Sequence, residues 1–189
     1  MKKRFFWIYL TLAACILAAA VLSGCAAKGE RLLWYQDGQI NVGLRGNVNG
    51  VEIAAELILF EAEEGKERAF ELRISAPKTL EGVVFCRDGE GILKAEIGGV
   101  EVELPKSDGI GATVIADLFD LSGDPVRIST VKGAEADLEQ YGELTRLEFP
   151  TATVLVDPAT SLPVRIISAR ADIKIVSFDM IETSSNDDG

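Results

Sequence analysis

Residues 40–59 read INVGLRGNVNGVEIAAELIL, and this stretch predicts a β-hairpin. Apolar and polar residues alternate on both sides of Asn49-Gly50. Asn-Gly is the preferred pair for a two-residue type I′ turn, because both central residues of that turn need positive φ. The turn places Val48 opposite Val51, and the apolar positions of both strands then share one face. A shift of one residue would distribute them over both faces, so the alternation and the turn specify the same register.

Further strands are predicted on both sides of this hairpin. A second two-residue turn at Gly98-Gly99 pairs Ile97 with Val100. Segments with strand-like apolar patterns predict strands at 70–74, 83–87, 93–97, 100–104, 126–131, 144–149, 153–156, 164–167 and 173–181. Because no helix separates the first six strands, they form a meander. A meander implies an antiparallel sheet with one face on a core.

One helix is predicted over 108–121. Asp108 can cap its start and Gly123 can end it, and the apolar residues between them recur at helical spacing. Such a helix is about 20 Å long and covers only part of a sheet of about nine to eleven strands. We therefore expect an α+β fold that is mainly antiparallel β. Its strongly curved sheet forms an unclosed β-barrel, and the helix packs in the concave face.

An apolar hollow between the sheet and the helix would have the usual form of a small-molecule site. Inward-facing positions of the strands and the helix are the candidates for its lining: Val42, Leu44, Leu57, Leu72, Val102, Leu118 and Phe119. Each of them can equally be an ordinary core residue. The sequence thus predicts an apolar pocket and leaves open how far side chains fill it.

Composition limits the chemistry of the chain. Its 189 residues include 30 Asp and Glu, 19 Lys and Arg and no His, for a net charge of −11. This balance argues against nucleic acid as a partner, and the absence of His removes the commonest general base and metal ligand. Ser75/Lys78 and Ser129/Lys132 have Ser-x-x-Lys spacing, but the first pair contains Pro77 at a strand end and the second lies in a predicted strand, so neither is on a helix. Cys86 is predicted to be a buried thiol. The sequence therefore predicts no catalytic residue, no metal site and no cofactor, and leaves open only a pair of carboxylates that the fold brings together.

The N-terminal segment has the pattern of a bacterial lipoprotein signal. Basic residues 2–4 precede an uncharged run over 5–22, and small residues follow before Cys25. Leu22-Ser23-Gly24-Cys25 resembles the lipobox of bacterial lipoproteins. The resemblance implies cleavage between Gly24 and Cys25, a diacylglyceryl group on the Cys25 sulfur and a further acyl chain, such as palmitate, on the new amino group. The alternative is an uncleaved anchor helix, since the uncharged run is just long enough to span a bilayer.

Four segments follow from these patterns. We predict a signal peptide at 1–24, the lipidated Cys25 with a short tether at 25–37, a β domain at 38–182 and a disordered tail at 183–189. The domain is therefore expected outside the cytoplasm. Its lipid would anchor it to the bacterial cell membrane, or to the outer membrane in a host that has two membranes.

Two turn motifs resemble those of periplasmic lipoprotein carriers of the LolA/LolB type. Residues 73–82 (RISAPKTLEG) resemble a strand, a Pro turn and a Gly of these proteins, and residues 157–164 (DPATSLPV) resemble their Asp-Pro-x-Thr-x-x-Pro turn. The similarity covers roughly residues 38 to 182. It implies an unclosed barrel with a helical lid around an apolar cavity for acyl chains. The chain departs from the carriers because no long amphipathic helix is predicted between Cys25 and the first strand, which leaves the lid small.

The resemblance also implies a function. Members of this superfamily carry or sense lipids or lipoproteins, whereas GerS, a spore germination lipoprotein of the same fold, binds a partner enzyme. We therefore expect a membrane-anchored, non-catalytic lipoprotein that binds a lipid or an acylated protein in an apolar cavity. The alternative is a GerS-like scaffold that recruits or regulates a cell-envelope enzyme through its acidic surface and exposed edge strands. The expected partners are the membrane, a lipid or lipoprotein ligand and, in the alternative, an envelope protein.

Overall fold

A computed structural model describes residues 35, 38–105, 111–121 and 123–181 of the chain. These residues belong to one compact unit that begins at Tyr35. The helix α1 spans Gly111–Asp117, and a short 3₁₀ helix spans Gly133–Ala136. The strands are β1 (Ile40–Val48), β2 (Val51–Leu59), β3 (Phe70–Ala76), β4 (Val84–Arg87), β5 (Leu93–Ile97), β6 (Val100–Leu104), β7 (Arg127–Lys132), β8 (Glu143–Glu148), β9 (Ala152–Val156), β10 (Pro163–Ser168) and β11 (Ala171–Met180).

All of these strands belong to one antiparallel sheet with the order β6-β5-β4-β3-β2-β1-β11-β10-β9-β8-β7. Strands that follow each other in the sequence are neighbours in the sheet, except at the connection from β6 to β7, which contains α1. The sheet is open, because β6 and β7 lie at its two edges and do not pair with each other. This confirms the expected fold class, a mainly antiparallel α+β fold with a curved, unclosed sheet and one helix.

The β1–β2 hairpin has the predicted register. Val48 pairs with Val51 and Ile40 pairs with Leu59, and both residues of the Asn49-Gly50 turn have positive φ. On its other side, β1 pairs with β11 along its whole length. The hairpin is therefore joined to the C-terminal half of the chain at the centre of the sheet.

We call the surface of the sheet that carries Leu57 the inner face, and the opposite surface the outer face. The pairings place Leu57, Leu72, Phe85, Ala95 and Val102 side by side across five strands of the inner face. Leu57 is fully buried and Leu72 is 1% exposed, whereas Val102 on the edge strand β6 is 54% exposed. The core therefore lies against the central strands, and burial decreases toward the β6 edge.

Helix α1 is shorter than the predicted helix over 108–121. It ends at Asp117, and Leu118 and Phe119 follow in a turn whose amides donate to carbonyls three residues earlier. Residues 106–110 lie outside the described residues. The prediction was wrong at the C-terminal end because a negative charge is unfavourable there, and no basic residue in the last turn offsets Asp117. Leu118 and Phe119 are nevertheless buried, so packing keeps them in the core without helical structure.

A second, smaller apolar cluster lies on the outer face of the C-terminal strands. Its buried members are Ala136, Leu138, Leu144, Leu155 and Val164. Arg165 of β10 borders this cluster, since its Nη1 donates to Ala136 O while its Nε and Nη2 donate to the Asp172 carboxylate. The segment after β7 therefore covers part of the outer face, where an antiparallel sheet is often exposed to solvent.

The signal peptide predicted at 1–24, the lipidated Cys25 and the tail at 183–189 all lie outside the described residues. Tyr35, which falls within the predicted tether, is 1% exposed, and its ring packs edge-on against Phe178 with a centroid distance of 5.5 Å. The chain therefore joins the β domain before residue 38. Within the described ranges, no helix has the length and apolar character needed to cross a membrane.

The close approach of β1 to β11 gives a stability prediction. A Cβ on Gly46 would lie 2.0 Å from the Asp172 carbonyl oxygen and 2.8 Å from Ile173 Cα, so Gly46→Ala forces two central strands apart. We expect the free energy of unfolding to fall by about 2–3 kcal/mol, as for an overpacked core. Gly142→Ala is the matched control, because its Cβ would meet nothing within 4 Å. Urea unfolding of both variants checks this, and an equal effect at the two positions would contradict it.

Candidate ligand cavity

An apolar cavity opens between α1 and strands β1 to β4. Its volume is about 210 Å³. The lining comes from four strands, two turns and the helix, and Asn49 alone contributes a polar side chain to it. The lining residues are Val48, Asn49, Val51, Ile53, Leu72, Ile74, Leu80, Phe85, Gly111, Ala112 and Ile115.

The local sequence explains why the cavity forms at this place. The inner-face residues near the Asn49-Gly50 turn supply one wall, and α1 supplies Ala112 and Ile115, which are 3% and 1% exposed. A Cβ on Gly111 would lie 3.4 Å from Val48 Cγ1, so the start of the helix lies close to the end of β1. The small residues at the start of α1 leave space in front of the sheet that larger side chains would fill.

Apolar side chains also surround the mouth of the cavity. Val51 is 46% exposed and Leu80 is 37% exposed. Leu80 lies in the turn after β3, where its amide donates to Pro77 O over 2.9 Å. Beside the mouth, the Asn49 amide donates to Arg170 O over 2.8 Å, and Arg170 Nε donates to Asn49 Oδ1 over 3.3 Å. The entrance therefore presents exposed apolar side chains. The polar groups beside it, those of Asn49 and Arg170, are hydrogen-bonded to each other.

Arg87 links the sheet to the helix that covers the cavity. Its Nε and Nη2 donate to Arg68 O over 3.1 and 2.9 Å, and its Nη1 donates to Asp117 Oδ1 over 3.2 Å. The guanidinium lies 5.0 Å above the centroid of the Phe70 ring, a cation–π geometry. Its side chain is 10% exposed, so these interactions are screened less than those of a surface ion pair. Arg87 thereby fixes the C-terminal end of α1 against β4.

Three ionisable groups near this region have shifted pKa values. Desolvation raises the pKa of the Asp117 carboxyl, and the charge of Arg87 acts in the opposite direction. Burial raises the pKa of the Tyr35 hydroxyl, so this group stays neutral at physiological pH. Partial burial and nearby carboxylates, with Glu71 the largest among them, raise the pKa of the Cys86 thiol. Cys86 is half-buried on the outer face rather than in the core, and its raised pKa disfavours the reactive thiolate.

The structure brings some of the predicted lining residues to the cavity and not others. Leu72 lines it. Val42, Leu44, Leu57, Leu118 and Phe119 are buried in the core without lining it, and Val102 is exposed on the β6 edge. The sequence assigned the strand residues of this set to the inner face, but alternation does not show how far an inner-face residue lies from the helix. The expected hollow is therefore present and smaller than the predicted set of residues would enclose.

Several lining residues were missing from the sequence-based set. Ile53, Ile74 and Phe85 follow the same alternation as the predicted residues and could have been included. Leu80 lies in a turn, and Ala112 is too small to stand out in a hydrophobic pattern. These two positions depend on where the turn after β3 and the helix meet, which involves pairs of residues distant in sequence.

Other cavities of the described structure have charged side chains in their lining. One of about 200 Å³ on the outer face is lined in part by Glu135, Arg146 and Arg165. A polar cavity of about 340 Å³ on the outer face is lined by charged residues that largely pair with each other, among them Arg165 with Asp172 and Lys174 with Asp137. Ser129 and Lys132 lie three residues apart in β7, on opposite faces of the strand. No group of His, Cys, Asp or Glu within the described ranges is arranged to hold a metal ion.

Comparison with known proteins gives matches of fold alone. No protein-family model matches this chain. No curated protein matches it either.

Solved structures with similarity to this chain are distant in sequence. An uncharacterized conserved protein from Thermus thermophilus aligns over 80% of this chain and 84% of its own, with 17% identity and a TM-score of 0.49. A putative outer membrane lipoprotein-sorting protein domain from Vibrio parahaemolyticus aligns over 86% and 96%, with 11% identity and a TM-score of 0.40. A LolA superfamily protein from Nitrosomonas europaea aligns over 82% and 94%, with 12% identity and a TM-score of 0.39.

The contacts of Arg87 lead to a second stability prediction. Arg87→Gln removes two hydrogen bonds to Arg68 O and the bond to Asp117, and we expect unfolding to become easier by about 2–3 kcal/mol. Arg73→Gln is the matched control on the neighbouring strand, because its side chain is 62% exposed and pairs only with Glu71; we expect less than about 0.5 kcal/mol there. Urea unfolding compares the two, and hydrogen exchange of α1 should accelerate in Arg87→Gln alone. Unchanged exchange of α1 would show that Arg87 does not hold the helix.

Proposed function

We propose that this chain is a membrane-anchored, extracytoplasmic, non-catalytic lipoprotein that binds an acyl chain of a lipid or of an acylated protein. The observation on which this proposal depends is the apolar cavity between α1 and strands β1 to β4. None of the described residues that line it has a titratable side chain, so this part of the cavity can exclude water around a hydrocarbon chain without leaving a charge unpaired. Small-molecule sites are typically concave and mostly apolar in this way.

The size of the cavity limits what it can enclose to part of one acyl chain. A volume of 210 Å³ holds about seven water-sized groups, which corresponds to the terminal portion of a single acyl chain. The exposed Val51 and Leu80 at the mouth can cover the part of the chain that emerges. Because each buried methylene contributes about 0.8 kcal/mol, such a segment provides several kcal/mol of binding free energy.

The chemistry of the chain supports binding rather than catalysis. The sequence contains no His, and Ser75, which has the Ser-x-x-Lys spacing with Lys78, donates from Oγ to Ala54 O over 3.0 Å. Its hydroxyl is thus engaged by the neighbouring strand and is not positioned beside an activating amine. An acyl chain has no polar group for the cavity to act on, so the lining need only be apolar.

The lipobox-like sequence ending at Gly24-Cys25 supports the membrane anchor. The net charge of −11 opposes attachment to an anionic lipid surface through charge. Acyl chains on Cys25 would supply the attachment, because two or more chains anchor a protein stably where one chain binds only marginally. The anchor and the cavity are separate features, and the two tests below concern the cavity.

Chain length of the ligand tests the proposed site. Uncharged 1-alkanols, from butanol to dodecanol, avoid repulsion by the acidic surface and can be titrated into residues 26–189. We expect the affinity to rise about fourfold per methylene and to level off near about seven carbons, where the cavity is full. Isothermal titration calorimetry measures this series. Affinity that never levels off, or no binding at all, would contradict the proposal and favour the scaffold alternative.

Filling the cavity provides an independent test. Ala112→Phe places a ring in the space next to Ile115, and we expect octanol affinity to fall at least about tenfold while the protein stays folded. Ala134→Phe, at an exposed position of the 3₁₀ helix, is the matched control and should bind octanol like the unsubstituted protein. Circular dichroism confirms folding of both variants. If a folded Ala112→Phe variant binds octanol with unchanged affinity, the alkanol binds at another site and the proposal is wrong.

A further inference from the structure

The two edges of the sheet run in the same direction. Every pair of neighbouring strands is antiparallel, and ten such steps separate β6 from β7. Two strands separated by an even number of antiparallel steps are parallel to each other. A sheet continued from the β6 edge of one copy to the β7 edge of another would therefore have a parallel junction, with the inner faces of both copies on the same side.

The β6 edge carries exposed apolar residues on its inner face and carboxylates on its outer face. Val100 and Val102 are 62% and 54% exposed, and Glu101 and Glu103 alternate with them. The two-residue Gly98-Gly99 turn makes Ile97 and Val100 a hydrogen-bonded pair. Because hydrogen-bonded and non-hydrogen-bonded pairs alternate, the amides and carbonyls of β6 that point away from β5 and have no strand partner among the described residues belong to Glu101 and Glu103.

The β7 edge carries one exposed apolar residue, Ile128, on its inner face beside Thr130 and Lys132, and one basic residue on its outer face. Ile128 is 53% exposed on the inner face, and Arg127 is exposed on the outer face. The Gly133 amide donates to Gly142 O, so these two residues form a hydrogen-bonded pair. From this pair, hydrogen-bonded and non-hydrogen-bonded pairs alternate along β7 and β8. The amides and carbonyls of β7 that point away from β8, and that have no strand partner in the described part of the chain, therefore belong to Ile128 and Thr130.

Two registers satisfy hydrogen bonding, face and charge together, with either Glu101 or Glu103 opposite Arg127. The first pairs four residues of each strand and the second pairs two, so the first is favoured. When Val102 lies opposite Ile128, the two apolar side chains meet on the inner face and Glu101 lies opposite Arg127 on the outer face. In a parallel pair, a residue bonds to the two residues that flank its opposite neighbour, so Glu103 bonds to Ile128 and Thr130. These are the residues whose backbone groups are free on the two edges.

Two β6 edges do not match in this way. If two β6 strands pair in antiparallel orientation, the residues with free backbone groups must lie opposite each other. Each such register places at least one glutamate of Glu101 and Glu103 directly opposite another, which is destabilising. Lys94 of β5 pairs with Glu101 over 2.8 Å, but one lysine next to two glutamates leaves this edge with a net negative charge. The charges of β6 therefore disfavour a symmetric dimer and favour a basic edge.

We propose that the β6 edge binds the β7 edge of a second copy of this chain, with Val102 opposite Ile128 and Glu101 opposite Arg127. Strands β6 and β7 of the same chain lie at opposite edges of the open sheet and do not pair with each other, so the proposed partner is a second copy. The contact is head-to-tail, so each added copy leaves one edge of each kind free and the copies form a ring or a row. A junction of short strands buries little surface, so the association is weak and depends on concentration. None of the four residues of this junction lines the acyl-chain cavity.

Disulfide cross-linking of the full chain tests this junction. One chain carries Val102→Cys and a differently tagged chain carries Ile128→Cys, both in a background with Cys15→Ser, Cys25→Ser and Cys86→Ser. Opposite residues of paired strands lie within the distance that a disulfide spans, so we expect the mixed cross-link to exceed each self-cross-link by about tenfold. Val102→Cys mixed with Val176→Cys is the control, because Val176 is 60% exposed on the central strand β11 and should give only random collision. A control-level yield, a predominant Val102→Cys self-cross-link, or a cross-link only within a chain that carries both substitutions would overturn the proposal.

A charge exchange tests the register. Arg127→Glu in the Ile128→Cys chain places carboxylates opposite each other, and we expect the mixed cross-link to fall by about threefold to tenfold. Glu101→Arg in the Val102→Cys chain should then restore it. Arg73→Glu, an exposed change on the outer face of β3, is the control and should leave the yield unchanged. If Arg127→Glu has no effect, or Glu101→Arg does not restore the yield, the two strands do not meet in this register.

Discussion

The fold depends on the pairing of β1 with a neighbour on each side. β1 pairs with β2 through a two-residue turn and with β11 over the full length of the strand, so it joins the two halves of the chain at the centre of the sheet. Its inner-face residues are almost fully buried, from Ile40 at 0% exposure to Val48 at 4%. Because a register error of one residue would turn these side chains outward, the position of every other strand depends on this pairing.

The cavity is a consequence of covering a wide sheet with a short helix. Helix α1 has seven residues, and the inner face that it must cover crosses many strands. Large residues of the turn after the helix, among them Phe119, fill the centre of the core. The start of the helix carries Gly111 and Ala112 instead, so the space near the β1–β2 turn stays open. Arg87 maintains this arrangement from the opposite end, where it holds Asp117 against β4.

The sequence predicted those features that follow from local chemistry. Asn49-Gly50 and Gly98-Gly99 have one favoured turn type each, and alternation extends the register from the turn along the strands. The length of α1 and the lining of the cavity depend on residues far apart in the chain, such as Leu80 and Ile115, and no local pattern encodes their approach. Val102 shows the distinction clearly. Its inner-face orientation followed from alternation, but its exposure follows from β6 being an edge, which only the strand order reveals.

The two proposed sites share one row of the inner face. Phe85 lines the cavity, and the pairings continue the row from Phe85 through Ala95 to Val102 at the edge. A strand added at β6 would therefore extend this apolar row. Strand β6 lies two strands away from β4, whose Phe85 lines the cavity. Burial of Val102 would restrict the motion of the β5–β6 hairpin, since edge elements with few buried contacts are the least stable parts of a fold. Association and ligand binding would then stabilise neighbouring parts of one surface, which provides a physical route for each to favour the other.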